Sequence, residues 1–162
     1  MSSTEARLPD VSTILAQVIQ RAPRAQQPLL VALAERMAAA RYRRWADEVG
    51  DAAQRAELLA CADREEEIAR RVEALYPEAA AIQRDLLAKI PDLADITRTL
   101  FGERPLAQQF AIQANGERLG AATWRSFAQH AEDGAARQTF LGCATLEEAN
   151  AIALESILGG TA

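Results

Sequence analysis

Glu35, Glu65, Glu117 and Glu147 are the residues of this chain whose type and spacing could do chemistry. Glu35 belongs to the series Val31, Ala32, Glu35, Ala38, Ala39, Tyr42, Trp45, Val49, and Glu65 to the series Leu58, Cys61, Ala62, Glu65, Ile68, Ala69, Val72, Leu75. Both series advance by threes and fours, which puts each glutamate on the otherwise apolar face of a helix. Glu117 and Glu147 take the same places 82 residues further on. A carboxylate taken out of water is costly unless its charge is cancelled, and four of them meeting in one core cannot all stay ionised alone. Divalent metal, shared protons or buried arginine would cancel it. Arg36 and Arg118 each follow a glutamate directly and so project about 100° round the helix, toward solvent. That leaves metal or protons.

The elements that must position these glutamates come from a duplication. At an offset of 82, the 44 positions from Ala32 to Leu75 hold 17 identities, among them Arg43 with Arg125, Asp51 with Asp133, Arg55 with Arg137, Cys61 with Cys143 and Glu66 with Glu148. Tyr42 pairs with Trp124, and Trp45 with Phe127. The offset holds without a gap, which a shared helical pattern alone does not explain; two copies of one helical hairpin do.

Taken in order, residues 1–8 read as a loose tail, and Asp10 caps a short amphipathic helix that ends near Ala22 and Pro23. Pro28 suits the first turn of a long helix that runs to Gly50, and Asp51 caps a second that stops before Pro77. With Gly50 and Asp51 as the connection, the two must run antiparallel. Residues 77–104 break the rhythm, offering helices over 78–90 and 92–100 and then a turn at Gly102 to Pro105. The second hairpin follows over 105–158, with Asp133 as the cap between its helices and Gly159 and Gly160 as its close. The expectation is a single all-α domain over 1–162, an antiparallel four-helix bundle of two repeated hairpins (28–76 and 105–158) with a helical crossover (77–104) and a short N-terminal helix.

A glutamate seven residues before Tyr42 in one helix, a Glu-x-x-x motif facing it in the next, and both repeated after a crossover resemble the ferritin-like di-iron carboxylate bundles, most closely the rubrerythrin branch. The likeness runs from about Val31 to Leu158 and is poor over 78–104. It implies a dinuclear metal site, iron or manganese, held by Glu35, Glu65, Glu117 and Glu147, with an oxidoreductase or metal-handling role. The family's Glu-x-x-His histidines fall on Ile68 and Asn150. Ile68 cannot ligate, and Asn150 offers a weak neutral oxygen, so the remaining donors are hard oxygens that suit manganese, magnesium or calcium as well as iron. No CxxC pair for a rubredoxin-type iron is present. The alternative is a metal-free descendant of the same frame that works by binding a partner or itself.

Cys61 and Cys143 lie one turn before Glu65 and Glu147 on the same faces, as small core residues or as thiols that meet across the repeat axis. Tyr42 and Trp124 are expected as core aromatics, and beside a metal as hydrogen-bond donors to its ligands. His130, the lone histidine, is placed at the surface near a helix C-terminus, and Glu66, Glu67 and Glu148 on solvated faces. No Ser/His/Asp set, glycine-rich phosphate loop or zinc spacing is present. The composition is 49% apolar but only 5% aromatic, which suits closely packed helices. A net charge of −5 without a dense Lys/Arg block argues against nucleic acid and anionic membrane as partners. The N-terminus lacks a signal-peptide pattern, no stretch reaches the roughly 20 apolar residues of a membrane span, and two cysteines form one bridge at most. The chain is therefore expected in the cytoplasm, with a homodimer as the default assembly.

Overall fold

The computed structural model describes residues 7–160, so most of the expected N-terminal tail lies outside the described residues. Those residues form seven α-helices and a 3-10 turn (Arg24–Gln26), with no strand among them: α1 Val11–Ile19, α2 Gln27–Glu48, α3 Ala52–Glu73, α4 Ala79–Lys89, α5 Leu93–Phe101, α6 Leu106–His130 and α7 Gly134–Gly160. The expected starts have visible causes. The side chains of Asp10, Asp51 and Asp133 accept from the backbone N–H groups of Thr13, Gln54 and Ala136, each satisfying an orphan donor of a first helical turn. Pro28 sits in the first turn of α2. Two ends differ from expectation: α1 stops at Ile19, short of Ala22 and Pro23, and α7 runs on through Gly159 to Gly160.

α2 packs along α3, α6 along α7, and the two pairs meet chiefly through α3 and α7. Their side chains form two apolar clusters. One gathers Tyr42, Trp45, Leu58, Cys61, Phe110, Ile112, Leu154 and Ile157, and the other Val31, Ala32, Ile68, Val72, Trp124, Phe140 and Cys143. Each long helix contributes to both, and on each one the glutamate falls between its two contributions. The chain thus sandwiches a polar layer between two dry ones.

A third cluster of Val18, Leu29, Leu30, Leu86, Ile90 and Leu93 seats α1, α4 and the start of α5 against α2. Arg21 and Asp92, at 2.7 Å, tie the end of α1 to the start of α5. The duplication is also written on the surface. Arg36 with Glu73 and Arg43 with Glu66 in the first hairpin recur as Arg118 with Glu155 and Arg125 with Glu148 in the second. Each pair is displaced by the same 82 residues, so the two hairpins share their side-chain geometry as well as their sequence. No helix among the described residues is long and apolar enough to cross a membrane.

Candidate functional site

All four glutamates enter the polar layer. Glu65 is 0% exposed, Glu117 and Glu147 1%, and Glu35 7%, too little water for an ionised carboxylate to be solvated. Glu35, Glu65 and Glu147 each bring an oxygen to one place, the three lying within 4.8 Å of one another. Burial pushes the Glu35 carboxyl up, contacts with Glu65 and Glu147 pull it down, and Glu117 adds repulsion. Glu65 and Glu147 are held well above the ordinary carboxylate value by burial first and by neighbouring carboxyl groups second.

Three of the four carboxyl groups have a specific donor. Tyr42 donates its hydroxyl to Glu117 Oε1 at 2.5 Å, and Gln113 Nε2 reaches the same atom at 2.8 Å. Trp124 Nε1 donates to Glu147 Oε1 at 2.9 Å, and Asn150 Nδ2 to Glu65 Oε1 at 2.9 Å. Tyr42 and Trp124 are equivalent by the repeat but serve inequivalent carboxyl groups, Tyr42 the first-helix glutamate of the other hairpin and Trp124 the second-helix glutamate of its own. Asn150 presents its amide nitrogen to the carboxyl groups, while its oxygen accepts from Arg64 Nη1 at 3.2 Å. Ile68 is buried in the apolar cluster. Glu65 Oε2 and Glu117 Oε2 are buried and receive no N–H or O–H donor.

Gly120 explains how Glu147 fits. A Cβ there would lie 2.6 Å from Glu147 Oε1 and 2.8 Å from its Cδ, so the carboxyl group lies directly against the backbone of α6. In the first hairpin the corresponding residue is Ala38, a difference the repeat shows but whose purpose periodicity alone could not reveal.

Sequence reasoning missed a buried arginine. Arg36 and Arg118 do face outward, but Arg41 is 8% exposed, six residues after Glu35. Its Nε and Nη2 both donate to Gln113 Oε1, at 3.1 and 2.8 Å, and Gln113 in turn donates to Glu117. The guanidinium carbon lies 3.9 Å from the centroid of Phe101, and burial lowers the group to about 10, still charged at neutral pH. Two cations thus reach the layer through one amide each, Arg41 through Gln113 and the half-buried Arg64 through Asn150, against four carboxyl groups. The signal was available only in pairs: Arg41 and Gln113 sit on different helices, opposite Thr123 and Val31 in the repeat, and no periodicity links them.

The cysteines separate. Cys61 belongs to the Tyr42 cluster and Cys143 to the Trp124 cluster, both buried and free, which leaves the idea of thiols meeting across the axis without support. Burial pushes each thiol up to about 12, so neither is a thiolate at neutral pH. His130 is exposed in the last turn of α6, its Nδ1 2.8 Å from the Ser126 carbonyl. Glu66, Glu67 and Glu148 pair with surface arginines, as a solvated face requires.

A cavity of about 140 Å³ opens onto this layer from the side of α1 and α5. Its walls include Val11, Ile14, Val18, Met37, Ile96 and Leu100, and Glu35, Glu117 and Glu147 line it too. The arrangement offers hard oxygen donors in a water-poor layer with an apolar approach, which suits holding a cation or sharing protons among acids. No protein-family profile, no curated protein and no solved structure matches this chain.

Proposed function

We propose that the chain is a ferritin-like antiparallel four-helix bundle, rubrerythrin-like in plan, whose core glutamates hold divalent metal in an oxidoreductase or metal-handling role. The observation that carries this is the pair of buried carboxylate oxygens, Glu65 Oε2 and Glu117 Oε2, that no donor among the described residues satisfies, beside three glutamate oxygens within 4.8 Å. The residues fit such a group. The donors are all hard oxygens, Glu35, Glu65 and Glu147 supply one ion's ligands, and Glu117, oriented by Tyr42 and Gln113, has an oxygen left to extend the set toward a second. When bound, iron or manganese supplies Lewis acidity and one-electron chemistry. Around it, Trp124 and Asn150 fix the Glu147 and Glu65 carboxyl groups by hydrogen bonds, and Tyr42 fixes Glu117.

Protein purified without chelator, then reconstituted with Mn(II) or Fe(II), should retain at least one equivalent of metal through desalting, and Glu65→Gln should lose it. Absence of stoichiometric metal under both conditions overturns the reading. The metal-free alternative is favoured by Ile68, fully buried at a histidine position of the resembled family. It has the four acids sharing protons, and predicts that Glu35→Gln with Glu117→Gln leaves stability equal or higher at pH 7, indifferent to metal. A homodimer of the 17.6 kDa chain belongs to either reading, and light scattering tests it.

A further inference from the structure

The cavity has two unlike ends. Toward α1 and α5 it is walled by aliphatic side chains, Ile14, Val18, Met37 and Leu100 among them; Glu35, Glu117 and Glu147 line it as well. Its volume of about 140 Å³ matches a small ring or a short alkyl chain, since apolar cavities of about 150 Å³ hold benzene. Glu117 is 1% exposed, and of its two oxygens Oε1 is occupied by Tyr42 and Gln113 while Oε2 is buried without a donor.

We propose that this cavity binds a small primary amine, its apolar group against Ile14, Val18, Met37 and Leu100 and its ammonium group at Glu117. An ammonium brings three N–H donors and one positive charge, which answers both the orphaned oxygen and the surplus of acid groups. An alcohol of the same shape brings one donor and no charge. A carboxylate adds a further negative group. Arg41 also lines the cavity, but its one charge stands against three carboxyl groups and two of its nitrogens are committed to Gln113. The site does not depend on bound metal, because its apolar walls are aliphatic side chains of α1, α2 and α5, none of them a metal donor. Metal and amine draw on the same carboxyl groups and should compete.

Benzylamine, benzyl alcohol and benzoate, titrated by calorimetry into chelator-treated protein at pH 7 in phosphate buffer, test this directly. Benzylamine should bind saturably at one per chain, benzyl alcohol at least tenfold more weakly, and benzoate not at all. Gly116 lines the cavity and a Cβ there would meet nothing within 4 Å, so Gly116→Leu should fill the space and abolish benzylamine binding while the protein stays folded. Glu117→Gln should weaken benzylamine at least tenfold and leave benzyl alcohol unchanged; if that variant does not fold, Gly116→Leu carries the test. No saturable benzylamine binding, equal affinity for the alcohol or the benzoate, or undiminished binding in Gly116→Leu overturns the proposal. The metal reading stands or falls separately, on metal retention with no amine present.

Discussion

At the scale of single residues, the four glutamates depend on neighbours placed to a few tenths of an ångström. Gly120 is the sharpest case, because any side chain there collides with the Glu147 carboxyl group. Gly120→Ala should cost about 1 to 3 kcal/mol in chemical denaturation despite the better helix propensity of alanine, and should lower metal retention. Trp124→Phe keeps the ring stack on Phe140 but removes the one N–H aimed at Glu147 Oε1. It should cost about 1 to 3 kcal/mol, the usual penalty of leaving a buried polar atom unpaired. A change under 0.5 kcal/mol in either variant would mean that Glu147 moves freely, and the site would lose its rigidity.

At the scale of elements, helix starts and open glycines are where small changes act alone. Asp51 caps α3 through the Gln54 N–H, so Asp51→Ala should lower stability by about 1 kcal/mol, read as a shift of the denaturation midpoint at constant slope. Gly116 sits mid-helix in α6 with open space where a Cβ would go, so Gly116→Ala should raise stability by about 0.5 to 1 kcal/mol. The contrast with Gly120, four residues on along the same helix, separates a glycine kept for room from one that is merely permitted.

At the scale of the whole molecule, the buried acids govern how stability depends on pH. Glu35, Glu65 and Glu147 hold protons more tightly folded than unfolded, so above the ordinary value of 4.5 the native chain binds more protons and stability falls as pH rises. Glu73 and Glu155, lowered by their arginines, act in the opposite sense below that value. Chelator-treated protein should therefore be most stable near pH 5 and lose about 1.4 kcal/mol per pH unit for each proton released, followed by thermal melts from pH 5 to 8. Mn(II) should flatten or reverse that slope, and a flat profile without metal would contradict the burial of these acids.

The sequence by itself determined the helices, their caps, the duplication and the identity of the four acids, because periodicity, aspartate caps and a constant 82-residue offset are local or self-referential signals. Tyr42 and Trp124 beside the acids followed from the same faces. Only the tertiary structure decided that Arg41 turns inward through Gln113, that Asn150 offers its nitrogen, that the cysteines part, and that α1 and α5 leave a cavity over Glu117. Each of these depends on which residue of a distant helix stands opposite. A contact between helices is set by packing and by the need to pair buried charge, neither of which leaves a trace in the spacing along one chain.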